Sequence, residues 1–454
     1  MKKMKKKLPL ISVFGFCLAC SCTALISAAE FEPLDPTGST LEDFFTAALN
    51  YSPRLKIAEE SLSIGSARKR AAKGRLLPQL NANASLSENR RNSSDPLQLE
   101  TQKFDGQRYT VQLNQVLFDW QTFSQRTQAD LVEDQLEAEY FGELAFLLSD
   151  VAEKYFTVLQ AEDALESIES ELDAVSNQLN QIQSLYDRQL AQITDLYQAQ
   201  ASLAAVESEK LQLQSDLALS QEMLRSVTGI SAGPLYSLQK EVQIPVLQNS
   251  VNYWVQQART GNHQIRAQKF ALQLATERIS ETRGAYMPKV SLIVQRQDSN
   301  VGFENAPVSQ NDNTYLGLDI SIPLYAGGSN RAAVSEAHSQ QRIAEYQLQQ
   351  EQLEASERVR NAYLQVQSSE LRTKAAHKLV ESTALSATAA QRGFELGAVT
   401  NVDVLNALRD RYSAERDLQR TRYEHVIYNL ILKRETGILA AEDMVEVGTW
   451  LEAP

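Results

Sequence analysis

Residues 144–159 read LAFLLSDVAEKYFTVL, and Leu144, Leu148, Val151, Tyr155, Val158 and Leu159 within them return every three or four positions. That spacing lines one buried stripe of an α-helix. What surrounds the stretch sets its scale. Residues 124–229 contain no proline and, before Gly229, only Gly142, so they read as two long helices turning back on each other. A helix from 124 to about 186 would be roughly 95 Å long at about 1.5 Å per residue, more than any compact domain needs.

The same element recurs about 208 residues later, because residues 331–437 are also free of proline. Arg225-Ser226-Val227-Thr228-Gly229-Ile230 at the end of the first stretch is answered by Lys433-Arg434-Glu435-Thr436-Gly437-Ile438. Val151-Ala152-Glu153-Lys154-Tyr155 is answered by Val359-Arg360-Asn361-Ala362-Tyr363, and Asp195-Leu196-Tyr197-Gln198-Ala199 by Asp403-Val404-Leu405-Asn406-Ala407. Upstream, a helix over 41–74 has its counterpart over 251–284: Leu41 matches Val251, Phe44 matches Trp254, Ala48 matches Ala258, Leu62 matches Leu272 and Pro78 matches Pro288. A period this long is no solenoid unit. The chain is a duplicated half-protein.

After each of those prolines the period changes to two, the mark of a strand with one apolar and one polar face. Leu80, Ala82, Ala84 and Leu86 alternate with Asn81, Asn83, Ser85 and Ser87; a polar loop over 88–107 follows; Tyr109, Val111 and Leu113 alternate with Thr110, Gln112 and Asn114. In the second half Val290, Leu292 and Val294 begin a strand, 298–313 is the loop, and Leu316, Leu318, Ile320 and Ile322 alternate with Gly317, Asp319 and Ser321. Around ten residues is what a tilted strand needs to cross an outer membrane. Aromatics rim the strands, Tyr109 and Tyr315 toward the loops and Phe118, Trp120, Tyr286 and Tyr325 toward the helices, where a membrane girdle is expected. A small soluble sheet with one wet face is the competing reading. Four strands cannot close a barrel unaided, and open edges cannot face lipid, so copies must join; three would supply twelve strands.

The composition narrows the classes. A net charge of −13 argues against nucleic acid as a partner. Met1 to Lys7 carries five lysines, an apolar run follows, and Ser27-Ala28-Ala29 precedes Glu30, the layout of a bacterial signal peptide over 1–29. Its removal leaves 39 basic against 57 acidic residues, a net charge of −18. Cys17, Cys20 and Cys22 all lie inside it, so the mature chain has no thiol chemistry unless Cys20 or Cys22 is lipidated. No catalytic constellation is legible and no metal or cofactor is expected. His263, His338, His377 and His425 are scattered without ligand spacing and read as solvated or interface residues. Gly327-Gly328 is the passage from strand to helix, and the glutamine-rich faces over 340–354 read as wet walls. The expected divisions are a signal peptide (1–29); a first repeat (30–230) with β-hairpin 79–118 and helical hairpin 122–229; an equatorial linker (231–250); a second repeat (251–438) with β-hairpin 289–323 and helical hairpin 327–437; and an equatorial C-terminal segment (439–454).

The duplicated order of helix, β-hairpin and long helical hairpin, together with Arg392-Gly393-Phe394-Glu395-Leu396-Gly397-Ala398-Val399-Thr400-Asn401-Val402-Asp403-Val404-Leu405-Asn406-Ala407, resembles the TolC-type outer-membrane efflux proteins over nearly all of the mature chain. The resemblance implies a mainly α fold with a transmembrane β-barrel: a homotrimer whose twelve-stranded barrel spans outer-membrane lipid and continues into the periplasm as an α-helical barrel. It also implies a periplasmic adaptor, or membrane fusion protein, and an inner-membrane pump or ABC exporter, in a tripartite efflux pump or a type I secretion system of a Gram-negative cell. Independently of the resemblance, Gly397 suits the left-handed end of one helix and Thr400 with Asp403 the capped start of the next. The expected periplasmic tips are therefore Arg188, Gln189, Leu190 and Ala191 in the first half and Gly397, Ala398, Val399 and Thr400 in the second, which by resemblance meet the adaptor. The resemblance makes Asp195 and Asp403 the acidic gate, with Asn406 where some family members carry a second aspartate; the competing reading is that both aspartates only complement helix N-termini. Phe394 and Val399 stand where the family places a polar tyrosine and arginine, so closure would rest on other contacts such as Arg188 or Gln192. A periplasmic adaptor or a secreted structural coiled-coil protein is the alternative class.

Overall fold

The computed structural model describes residues 40–91, 102–239, 242, 247–300 and 311–453. The expected signal peptide with its cysteines, and the middle of both strand-connecting loops, lie outside the described residues. In chain order the elements are α1 (Leu41–Tyr51), α2 (Pro53–Gly74), β1 (Gln79–Arg91), β2 (Gln102–Phe118), α3 (Trp120–Asp187), α4 (Ile193–Thr228), β3 (Ser237–Leu238), α5 (Val251–Gly261), α6 (His263–Gly284), β4 (Lys289–Ser299), β5 (Asn311–Ser321), α7 (Ser329–Glu395), α8 (Asn401–Thr436), α9 (Ala441–Gly448) and β6 (Leu451–Glu452). Helix α3 has 68 residues and α7 has 67, each about 100 Å at 1.5 Å per residue.

Two sequence expectations need correction. The helices over 41–74 and 251–284 are each broken in two. Ser52 accepts a bond from the Leu55 amide and Pro53 takes the first helical position; Asn262 caps α6 through the Gln264 and Ile265 amides. A cap in the middle of an apolar-periodic run restarts the helix in a new direction. The loop expected over 88–107 is also shorter, because β1 runs to Arg91 and β2 starts at Gln102; polar residues extend the hairpin past its apolar part.

The four long strands form one antiparallel sheet in the order β1-β2-β4-β5. Below it the helices stand in columns. Helices α2 and α4 both lie along α3; α3 packs on α6 and α8; and α7 packs on α5, α6 and α8. One lateral margin is thus β1 with α2 and α4, and the other is β5 with α7.

Burial is densest at mid-height. Around residues 144–159 more than a stripe is covered: Leu147, Leu148, Val151, Ala152, Tyr155, Phe156, Val158 and Leu159 are all buried. Leu41, Phe44 and Ala48 of α1 and Tyr423, Val426 and Leu430 of α8 close over them, and so do Leu238, Met444, Val447 and Leu451 from the segments outside the repeat. Those two segments, far apart in sequence, pair as β3 and β6. The Tyr155 hydroxyl donates to the Tyr236 carbonyl at 2.9 Å, so a residue of the quoted stretch also anchors the chain just before β3.

The C-terminal ends of α5 and α8 meet backbone to backbone. Gly437 has φ 72°, and a Cβ there would overlap the Gly261 carbonyl. Gly437→Ala should therefore cost more than the roughly 1 kcal/mol of left-handed strain alone. Thermal unfolding in detergent should show a clear loss for this variant and almost none for Gly448→Ala, whose site is open.

Candidate functional site

Two regions carry candidate residues: the far turns of the helical pairs and the faces of the sheet. Each far turn ends a helix on a left-handed residue. In the second half it is Gly397 (φ 69°), with the Ala398 amide donating to the Gly393 carbonyl at 2.7 Å. In the first half Gln189 takes the same conformation (φ 61°), with the Leu190 amide donating to the Leu185 carbonyl at 2.8 Å. The turn is one structure built twice, and the first copy tolerates a side chain where glycine is the relaxed choice. Arg188, Leu190 and Ala398 are exposed, and Ala191 and Val399 are half-buried.

Both aspartates work as helix caps. Asp403 Oδ2 accepts from the Thr400 amide at 2.9 Å and hydroxyl at 2.7 Å, while the Thr400 hydroxyl accepts from the Asp403 amide. These bonds hold the Asp403 carboxyl below the usual carboxylate range. Asp195 Oδ2 accepts from the Gln192 amide at 3.3 Å; the cap of α4 is thus Gln192, three residues before Asp195. Asn406 is exposed one turn beyond Asp403. Phe394 and Val399 pack with Ala387, Val404, Leu408 and Tyr412, so an apolar cluster stands where polar links were absent.

Sequence reading missed the residues that tie the two turns together. Asn401, buried at the start of α8, accepts from Gln178 Nε2 of α3 at 2.8 Å and donates to the Asp195 carbonyl of α4 at 3.2 Å. About four helical turns further up α8, Arg416 reaches Glu171 of α3 at 2.8 Å and Glu209 of α4 at 3.2 Å. Burial pushes the Glu171 carboxyl above its ordinary value, against the pull of Arg416. An asparagine or arginine on a helix carries no signal of such a partner; only the packing of α8 on the first helical pair supplies it. His425, expected at a surface or interface, is buried and bonded to Ser369 at 2.8 Å.

The sheet separates chemistry by face. Paired residues in register share a face and alternate along a strand. One face carries Leu80, Ala82, Ala84 and Leu86; Tyr109, Val111 and Leu113; Val290, Leu292 and Val294; and Leu316, Leu318 and Ile320. Leu80, Leu86, Val111, Leu316, Leu318 and Ile320 of this set are exposed. The opposite face carries Asn81, Asn83, Thr110, Gln112, Gln295, Gly317 and Asp319. The apolar limit crosses the strands obliquely: Leu86 stands opposite Gln107, Tyr109 marks the limit on β2, and Val294 stands opposite Leu113. Strands tilted in a membrane produce that slope.

The aromatics divide by the same register. Tyr109 lies on the apolar face. Phe118 reaches it through an irregularity: Val116 pairs with Ser291 but Phe118 with Val290, so Leu117 is the extra residue that flips the alternation. Tyr286 and Tyr325 are exposed at the helix end of the sheet. Trp120 is tied to the helix junction, its indole N–H donating to Ser280 Oγ at 3.1 Å. Tyr315 must be reassigned. It pairs with Gln295, which pairs with Gln112, so it lies on the polar face and cannot belong to a lipid girdle. The alternation already placed Leu316 outward, and the preceding residue must point the other way.

Among the described residues no helix is long and apolar enough to cross a membrane, whereas an exposed apolar sheet sits at one end of helices about 100 Å long. That combination defines a subunit of an outer-membrane channel. The family model described as outer membrane efflux protein matches residues 45–230 and 254–437, and the chain belongs to that family. It is similar to the outer membrane protein TolC of Vibrio cholerae, at 26% identity over 386 residues, covering 84% of this chain and 87% of that one. It is also similar to the alkaline protease secretion protein AprF of Pseudomonas aeruginosa, at 24% over 412 residues, covering 89% and 85%. In fold it matches the crystal structure of the outer membrane protein VceC from Vibrio cholerae, with a TM-score of 0.75 at 19% identity over 87% of this chain and 96% of that one. The protein is an efflux protein of the outer membrane.

Removing the tie between the turns should loosen them. Asn401→Ala leaves the Gln178 amide buried without its acceptor, at a cost of about 1–3 kcal/mol, and amide exchange of residues 193–200 and 401–408 should quicken while that of α1 does not change. A second expectation concerns pH. Burial, with Asp163 beside it, pushes the Glu162 carboxyl up to about 7 from 4.5. An acid raised on folding stabilises fully below its unfolded value and loses that contribution as pH rises through the folded one. Exchange from the middle of α3, corrected for intrinsic rates, should accelerate as pH rises from 4.5 to about 7 and level off above it, and Glu162→Gln should flatten the profile.

Proposed function

We propose that three copies of this chain close a single conduit. Twelve strands form a barrel across the outer membrane, and the helical columns continue it through the periplasm to the far turns. The observation that carries this reading is the sheet itself, with one exposed apolar face and two unpaired edges at β1 and β5. Each unsatisfied backbone group in hydrocarbon costs several kcal/mol, and β1 alone has 13 residues, so a lone sheet cannot enter lipid. Pairing β5 of one copy with β1 of the next satisfies both edges at once.

The helical margins support the same arrangement. On the α7 margin Ile343, Leu364, Leu371 and Leu385 are exposed at multiples of seven residues, with Tyr346 and Leu353 seven apart beside them. On the other margin Ile57 and Ile64 of α2, and Tyr197 and Leu211 of α4, are exposed at the same period. A seven-residue repeat is the seam of a long helix lying against another. Two different margins that fit each other make a head-to-tail contact, which closes as a ring.

Cargo enters this conduit from a periplasmic adaptor and an inner-membrane pump or ABC exporter, which supply energy and selection in a tripartite efflux pump or type I secretion system. The secretion function in AprF's name supports including the second. The tip residues Arg188, Gln189, Leu190, Ala191, Gly397, Ala398, Val399 and Thr400 form the adaptor contact. Asp195 and Asp403, with Asn406 beyond, ring the closed end where copies converge. Tyr109, Phe118, Tyr286 and Tyr325, with the exposed part of Trp120, border the lipid.

Assembly tests the ring. Leu364→Asp combined with Leu371→Asp should convert trimers to monomers of unchanged helix content, read by light scattering in detergent and circular dichroism; persistent trimers would exclude the α7 seam. The wild-type protein should form channels in planar bilayers. Asp195→Ala with Asp403→Ala should weaken their block by multivalent cations, and an unchanged block would remove the acidic ring.

A further inference from the structure

Tyr315 is the odd member of the polar face. Its row across the sheet is Asn81, Gln112, Gln295 and Tyr315, three amides and one phenol. The next residue on that face of β5 is Gly317, which pairs with Ile293. A Cβ built on Gly317 would overlap the Tyr315 hydroxyl and the ring carbon that bears it, and would lie 2.8 Å from the adjacent ring carbon. The phenol therefore lies along the strand with its tip directly over the Gly317 Cα. A glycine inside a strand weakens it unless something approaches its backbone closely, and here the approaching group is the tyrosine of its own strand.

We propose that Gly317 is the seat that holds Tyr315 flat against the wall of the bore, and that Tyr315 sets the width there for passing cargo. This rests on the closed-barrel reading, in which the polar face lines the bore. Three copies would place three phenols at one level, in a row whose other side chains are the amides of Asn81, Gln112 and Gln295. Occupying the seat leaves the backbone undisturbed, because the overlapping atoms are the far end of a side chain free to turn about its own bonds. The strand keeps its pairing, and the ring swings off the wall toward the axis.

Asp319, two residues deeper on the same face and exposed, gives a reporter. The described residues hold no cysteine, and the parent chain controls for the three near the N-terminus. Asp319→Cys in intact cells should react from outside with both a small membrane-impermeant maleimide and a bulky polymer-linked one. Adding Gly317→Ala should abolish or strongly slow labelling by the bulky reagent while sparing the small one. Tyr315→Ala should restore it in the triple variant. Should Gly317→Ala fail to assemble, Tyr315→Ala with the reporter alone decides, and it should label faster than the parent reporter with the bulky reagent. Labelling by the bulky reagent that ignores both substitutions overturns the seat and leaves the pore intact. A reporter that neither reagent reaches overturns the polar face as bore lining, and the seat with it.

Discussion

Backbone amides and carbonyls at the edge of a sheet must find partners before that sheet can leave water, and the large sheet of the described residues has four strands to satisfy the demand. The apolar face on Leu80, Val111, Leu292 and Leu318 asks for lipid, while the edges on β1 and β5 forbid lipid to a single copy. In the proposed ring, association of copies resolves the conflict. The same left-to-right order, with α2 and α4 under β1 and α7 under β5, repeats the demand along the helices, where apolar side chains at seven-residue spacing stand exposed.

The two repeats are close in length and differ in what they carry. The first gathers both segments that lie outside the duplication, so that α1, Tyr155, Phe156 and the β3-β6 pair form the larger core. The second packs Val255, Ala258, Val359 and Val366 with less around them. At the far turns the asymmetry reverses. The second half has the relaxed glycine and the complete threonine-aspartate cap, while the first relies on Gln189 and Gln192. Helix α8 is the bridge, contacting α3 through Asn401 and Arg416. A movement that parts the first helical pair from the second must break a buried amide pair and a buried ion pair, each costly to leave half-made.

Much of the fold was legible because the governing patterns are periodic. Apolar recurrence at three and four residues announced the long helices, alternation announced the strands, and near-identical offsets announced the duplication. The second far turn was legible through glycine and a threonine three residues before an aspartate, whereas Gln189 and Gln192 in the first give no such signal. Signals of short range failed in predictable places. Ser52 and Asn262 look like ordinary polar positions in an apolar-periodic run, yet each ends one helix and begins another. Tyr315 was read by its nearness to a strand end, although its parity with Gly317 and Asp319 already placed it on the polar face.

The sequence by itself determined the elements, their order, their repetition and the polarity of each strand face, since these depend on neighbours along the chain. Only the tertiary structure decided that Asn401 joins two turns, that Arg416 meets Glu171 and Glu209, that residues 237–238 pair with 451–452, and that Phe118 regains the apolar face at an irregularity in the ladder. Those are meetings between residues far apart in sequence. Side-chain type and local spacing carry no information about them until packed helices and paired strands fix which surfaces touch.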